Sequence, residues 1–381
     1  MRKISFFILL LLFNFNFLTA KAQEDLPQPN AFLEKGIVTS VLSRTHDKEL
    51  EEVFDTEQIV QILNVKVLTG EFKDKQFKIK NYITSNPAYD VDVKTGDRVV
   101  LETNDQADID DIEVKNDNTE DINIIAKDNS GVMLVLVGLF LLSLLIVGGY
   151  KGMKALLSLG ISLFLFIFVL IPGILIGWHP IPATVFIAVI ATILTSFISF
   201  GATIKSLTTS LSVTITLVLT GIFSSLILSI ATVNGIDSQE FIAILGEYPD
   251  LNFRGILSSG FIISTLGAVI TIASSVSANI NQIKIANPEA GYRYLFSSGL
   301  ASAKELTGNM ANTLIFAYLG NAIPLLLLAF STPFIKFINF NVVIAETTAA
   351  ILGGVAIIFC TPITAAISAY FNKKYTQTKA S

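Results

Sequence analysis

The apolar and polar positions of this chain follow two regimes that meet near residue 130. Beyond that point the pattern is one of long apolar runs separated by short polar clusters. A helix needs about 20 residues to cross the hydrocarbon core of a bilayer. About seven stretches have that length and character: 131–149, 155–177, 181–200, 206–233, 255–280, 310–330 and 342–371. The two longest would be tilted, kinked or extended past the bilayer. Residues 240–246 read as a short interfacial helix, and 280–304 is too polar to span.

Before residue 130 the runs shorten. β-Branched residues crowd 36–43 (GIVTSVLS) and 57–68 (EQIVQILNVKVL), while 76–83 alternates apolar with polar. Lys94-Thr95-Gly96-Asp97 reads as a turn leading into a strand over 98–102. Around five short strands predict a small barrel or sandwich of oligomer-binding or SH3-like type. The expected fold is a multi-span α-helical membrane protein of about seven transmembrane helices, with a small N-terminal extracytoplasmic β-barrel-like domain.

The start of the chain predicts an export signal. Arg2 and Lys3 form a positive n-region, 4–17 an apolar core, and Ala20-Lys21-Ala22 a cleavage pattern. The competing reading is an uncleaved anchor, against which Asn14 and Asn16 interrupt the apolar run. The expected division is a signal peptide over 1–22, a β-rich domain over 23–125 and a transmembrane helical domain over 126–381.

Composition points the same way. The chain is 52% hydrophobic and 15% charged, with mean hydropathy +0.64, the profile of a polytopic membrane protein. The net charge of −5 arises from acidic residues before residue 130, densest over 105–121. That segment lacks the Gly and terminal Glu of a calcium loop and reads as a solvated linker. No basic stripe with interleaved aromatics is present, so no nucleic-acid partner is expected. Cys360 is the single cysteine, which rules out a disulfide within the chain and reads as a small buried apolar residue.

Loop charges order the threading. With the β domain outside, Lys151, Lys154, Lys205, Lys284, Arg293, Lys304, Lys373 and Lys374 fall inside. Asp237, Glu240, Glu247 and Asp250 fall outside, and Lys336 is the exception.

Some span residues are ones that hydrocarbon rejects. Glu305, Asn309 and Asn312 share a helical sector of about 60°. Glu346 lies a turn inside the last span, with Gly353 and Thr364 on its face. An ionised carboxylate at the bilayer centre costs at least roughly 2.5–3.5 kcal/mol, so such groups pair, or face water or protein. The plainer reading leaves both carboxylates hydrated at the interfaces. Gly260, Ser264, Gly267, Thr271, Ser274 and Ala278 form a stripe of small side chains, beside Ser275. It reads either as tight helix packing or as the wall of a hydrated cavity. Pro172, Pro182, Pro324 and Pro362 each free a backbone carbonyl in or near a span.

Enzyme signatures are missing. His46 and His179 are far apart with no accompanying cysteine, and neither a nucleotide-binding P-loop nor a G-x-S-x-G elbow is present. No enzyme activity, cofactor or metal is expected.

The run GLASAKELTGNMANTLIFAYLGNAIPLLLL resembles the signature of the YibE/F-like family of bacterial membrane proteins. Glu305, Gly308, Met310, Asn312, Thr313, Leu314, Ala317, Tyr318 and Gly320 fall on that family's pattern. The last span, with Glu346, Gly353, Pro362, Ile363 and Thr364, resembles its closing segment. QILNVKVLTGEFKDKQFKIKN and VKTGDRVVL resemble its N-terminal region. One departure is Thr271, where the family tends to carry Asp. The resemblance implies architecture more than activity, and a bacterial cytoplasmic membrane, in which the loop charges put the C-terminus inside. The expected function is a secondary permease or exporter of a small solute or ion. Its path would be lined by Thr271, Ser274, Ser275, Glu305, Asn309, Asn312, Thr313, Glu346 and Thr364. The alternative is a non-transporting scaffold or sensor that anchors the β domain for partner binding. The expected partners are the bilayer, the solute or ion, and a second copy of the chain.

Overall fold

The computed structural model describes residues 32–46, 58–70, 72–84, 86, 90–103, 122–236 and 238–380, with backbone alone for 32, 239, 240 and 374–380. The signal segment, the acidic 105–121 segment and Asp237 lie outside the described residues. The chain divides into two compact units, one ending at Ser143 and the other beginning at Leu144.

The first unit is a sheet of β1 (Phe32–His46), β2 (Ile59–Val67), β3 (Gln76–Ile83), β4 (Arg98–Thr103) and β5 (Ile122–Lys127). The order is β3-β2-β1-β4-β5 with every pairing antiparallel. Alternation along β2 turns Gln61, Leu63, Val65 and Val67 to one buried face. Irregularities between Val38 and Ser40, between Val41 and Ser43, and between Val100 and Leu101 bend the ladder. The edge strands β3 and β5 touch, so the sheet curls into a half-barrel around Val38, Leu63, Val65, Ile79, Val99 and Leu101.

Two buried amides sit in that core. Gln61 Nε2 donates to Asp92 Oδ1 at 2.8 Å and to Val93 O at 3.3 Å. Asn81 Nδ2 donates to Gln61 Oε1 at 3.0 Å and to Val91 O at 2.8 Å. The network ties the 91–93 segment across the face of β2 and β3.

A second polar knot starts the first helix. Ser130 N donates to Asp128 Oδ1 at 2.9 Å, and Lys35 Nζ donates to Ser130 Oγ at 2.6 Å and pairs with Asp128 at 3.2 Å. Hydrogen bonds from Ser130, reinforced by the Lys35 ammonium, lower the Asp128 carboxyl from 3.8 to about 2. A depressed acid stabilises the fold above its ordinary pKa and loses that contribution as pH falls through the depressed one. The stability difference between wild type and Asp128→Asn should therefore hold at neutral pH and shrink between about pH 4 and about pH 2. Acid titration followed by circular dichroism of both proteins checks this.

The second unit is helical, and the helix that leads into it starts in the first unit. α1 (Ser130–Leu165) continues through a π-helical turn (Phe166–Leu170) into α2 (Ile171–Leu175). Gly149 breaks this run with φ 50°, ψ −131°. A Cβ on Gly152 would lie 2.3 Å from the Leu144 carbonyl oxygen. Eight residues along a straight helix are about 12 Å apart, so the backbone turns sharply here. At the far end Gly173 lies against the Trp178 ring, where a Cβ would come within 2.4 Å, and Trp178 N donates to Gly173 O at 2.9 Å.

Then follow α3 (Pro180–Phe200), α4 (Ile204–Ile230), α5 (Gln239–Glu247), α6 (Phe253–Ala286), α7 (Tyr292–Asn321), α8 (Ile323–Ser331), α9 (Phe334–Phe337) and α10 (Asn341–Ala380). Thr203 and Ser206 form a reciprocal capping box at the start of α4. Among the described residues five helices are long and apolar enough to cross a membrane, or six if α7 and α8, bent by 61°, count as one span. The count falls short of the expected seven at α1, where two expected spans share one helical run. α4, α6 and α10 pack on one another around Leu217, Ile262, Val269, Ile272, Val276 and Ile357, with α3 and α7 laid against them.

Candidate functional site: a buried hydroxyl column

α4 carries a hydroxyl at every fourth position: Thr208, Ser212, Thr216, Thr220 and Ser224. Residues four apart are neighbours on a helix but drift about 40° per step, so the row winds around α4, and all five are buried. Its first half meets α6 and α10. The Thr208 hydroxyl bonds that of Ser277 on α6, which bonds Ser368 on α10 at 2.9 Å. Asn372 continues the line by donating to Ser368 O at 2.8 Å. Midway, the Cys360 thiol lies 3.7 Å from Val269 O and 3.5 Å from the Thr364 hydroxyl, beside Thr216. Ser212, Thr216 and Thr220 return their protons to carbonyls four residues back, which leaves oxygen lone pairs facing the junction.

The ends of the column differ from its middle. The hydroxyls of Thr184, Ser224 and Ser258 are buried and have no hydrogen-bond partner among the described residues. Gly255 lies against Pro180, and Gly221 against Val185 and Ile262. Each of the three hydroxyls is within four residues of one of these contacts, so all three lie at the same end of α3, α4 and α6. Ser196, Thr209 and Ser210, near the α3–α4 turn, repeat the situation at the other end. A buried unpaired hydroxyl costs about 1–3 kcal/mol, a cost that both ends of the column carry. Every column side chain named is uncharged.

The residues singled out from the sequence distribute differently. Thr364 belongs to the column. The α6 stripe faces away from the core: Gly260, Ser264, Gly267 and Thr271 are exposed, and Ser274 and Ser275 are half-buried. Nothing lies within 4 Å of a Cβ built on Gly260 or Gly267, so at those two positions the stripe has no close neighbour among the described residues. Thr271 and Ser274 direct their hydroxyls to Gly267 O and Thr271 O of their own helix. On α7, Gly299, Ala303, Met310 and Leu314 face the core, while Glu305, Gly308, Asn309, Asn312 and Thr313 are exposed on other faces. Ala317 and Gly320 are exposed as well, and Thr313 bonds Asn309 O. The polar face of α7 and the small stripe of α6 are therefore not opposed walls of a path enclosed by one chain.

Tyr318 and Glu346 do come together. Both line a cavity of about 300 Å³ at the break between α7 and α8. The Tyr318 hydroxyl donates to Ser264 Oγ at 2.5 Å, joining α7 to the stripe of α6. Sequence reasoning missed the column, although its signal, a hydroxyl every fourth residue through 208–224, was there to be read.

A family model described as YibE/F-like protein matches residues 136–374, and one described as YibE/F family N-terminal domain matches residues 33–117. No curated protein and no solved structure matches the chain.

Proposed function

We propose, from the premise that this chain belongs to the YibE/F-like family, that it is a secondary permease or exporter of a small solute or ion. The observation that carries this reading is the hydroxyl column. Helix packing in a membrane uses Gly, Ala, Ser and Thr, and interhelical hydroxyl bonds average only about 0.6 kcal/mol, so paired hydroxyls alone would fit a packed interface. A line of hydroxyls along the α4–α6–α10 junction, with unpaired ones at each end, goes beyond what anchoring a sheet requires. In this reading the two ends hydrate first, and the Thr208–Ser277–Ser368 contact is the constriction that opens. Glu346, on the cavity at the α7–α8 break, is the proton or cation site of this reading, while Glu305 lies on the outward polar face of α7. The chain carries no P-loop, so an ion gradient rather than nucleotide hydrolysis would drive it.

The positive-inside pattern supports a bacterial cytoplasmic membrane location, with the sheet outside, the C-terminus inside and the N-terminal signal removed. Gly149 supports two crossings within α1, which restores seven spans. The exposed α6 stripe and α7 polar face would meet lipid or a second copy.

Single cysteines at Thr216, Thr220 and Ser277, in a Cys360→Ser background, test the path. Native membranes are treated from each side with a small impermeant thiol reagent. Labelling at all three is the expected result. If folded variants stay unlabelled from both sides, the column is packed interior and the scaffold reading takes its place.

A further inference from the structure

We infer that the cavity between α7, α8 and α10 binds a small organic monocation: an amine or quaternary ammonium carrying an apolar group. This names a substrate class for the proposed permease, and it rests on that reading only in calling the guest a substrate. The cavity of about 300 Å³ has room for about ten water-sized groups, at the small end of ligand sites. Ile315, Leu319, Leu326 and Val343 supply apolar walls, and the carboxylate of Glu346 is the one acidic group among the residues lining it. Lys336, on the neighbouring α9, is exposed and does not line it.

Each feature excludes a class of guest. A carboxylate disfavours anions. Apolar walls offer nothing to a hydrated metal ion, which would surrender its water for a single carboxylate. A wholly apolar guest would draw nothing from the carboxylate. A cation with an apolar body makes use of both parts at once. Tyr318 adds the third element. Its hydroxyl is held by Ser264, so the part it offers the cavity is the ring, and aromatic faces attract organic ammonium groups. The larger cleft of about 890 Å³ between α3 and α4 has no acidic residue in its lining and makes no such selection.

The test is saturable binding of radiolabelled benzyltrimethylammonium to the purified full chain in detergent, with unlabelled competitors. Neopentylbenzene is the uncharged match in shape. Wild type should bind the cation, and the neutral analogue should fail to displace it. Glu346→Gln should weaken binding by about tenfold or more, the scale of one charge-assisted contact. Tyr318→Phe should bind better than Tyr318→Leu, because the ring remains. Leu326→Trp keeps the carboxylate but fills the cavity, and should also abolish binding if Glu346→Gln proves hard to fold. No saturable binding by wild type overturns the inference. So does equal competition by neopentylbenzene, or wild-type affinity in folded Glu346→Gln. The assay involves no transport, so its failure leaves the cysteine-labelling result on the column untouched, and the reverse.

Discussion

Leucine in place of Gly353 is expected to prevent recovery of a monodisperse protein. Gly353 stands on α10 where α6 and α7 converge. A Cβ there would lie 2.2 Å from Leu314 Cδ2 and 3.1 Å from Thr265 Cγ2. The nearer atom is the tip of a flexible side chain on α7, so alanine displaces little and should cost about 1 kcal/mol. Leucine adds three more carbons at a point already filled from two helices, and should cost about 3 kcal/mol or more. Small residues are what let membrane helices approach this closely. Thermal unfolding followed by fluorescence-detected size exclusion separates the two variants. Wild-type behaviour of Gly353→Leu would show the three-helix contact to be loose.

The second large effect lies in the half-barrel. Gln61→Leu keeps the volume of a buried side chain but removes its amide. Asn81 then loses an acceptor at 3.0 Å, and Asp92 and Val93 O lose the Nε2 donor. Asp92 retains Arg44 at 3.2 Å, whereas the Asn81 amide is buried and keeps only the Val91 carbonyl. Leaving buried polar groups unpaired costs about 1–3 kcal/mol each, so a loss of about 2–4 kcal/mol is expected. The 91–93 segment should loosen first. Limited proteolysis between β3 and β4 should accelerate markedly in Gln61→Leu, and also in Gln61→Glu, which keeps an acceptor for Asn81 but sets a buried carboxylate where the Nε2 donor met Asp92 at 2.8 Å. Equal rates in all three proteins would mean that the amides do not hold this segment.

Much of the architecture could be read from the chain because period and run length are local properties. β-Branched enrichment placed β2 within two residues of its ends, and alternation placed β3 at its ends. Apolar run length found α3, α4, α6 and α10, since a span requires little beyond sustained hydrophobicity. β5 was not located, because it is a short strand beyond a long acidic segment and its pairing with β4 is set by tertiary contact. The direction in which a polar helix face points was not readable either. In α7 both faces of the span are largely apolar, so Glu305, Asn309 and Asn312 define a sector without saying whether it looks inward. The structure turns it outward because Met310 and Leu314 fill the contact with α6 and α10. The α6 stripe has the same ambiguity: small residues permit close approach but do not name the partner. The column escaped notice because serine and threonine are nearly neutral in hydropathy. A span can therefore hold five buried hydroxyls and still read as an unremarkable apolar helix.

The contact between Gly173 and Trp178 has a spectroscopic consequence. The chain has a single tryptophan. Its indole rests on a glycine where α2 gives way to α3, partly open at 37% exposure. Under excitation selective for indole, the whole emission of the protein comes from that one corner. A red shift would report water reaching the α2–α3 joint, a blue shift would report lipid, and neither would report anything else. Neither the hydroxyl column nor the cavity beside Glu346 includes Trp178, so events there appear in the spectrum only if they move that joint.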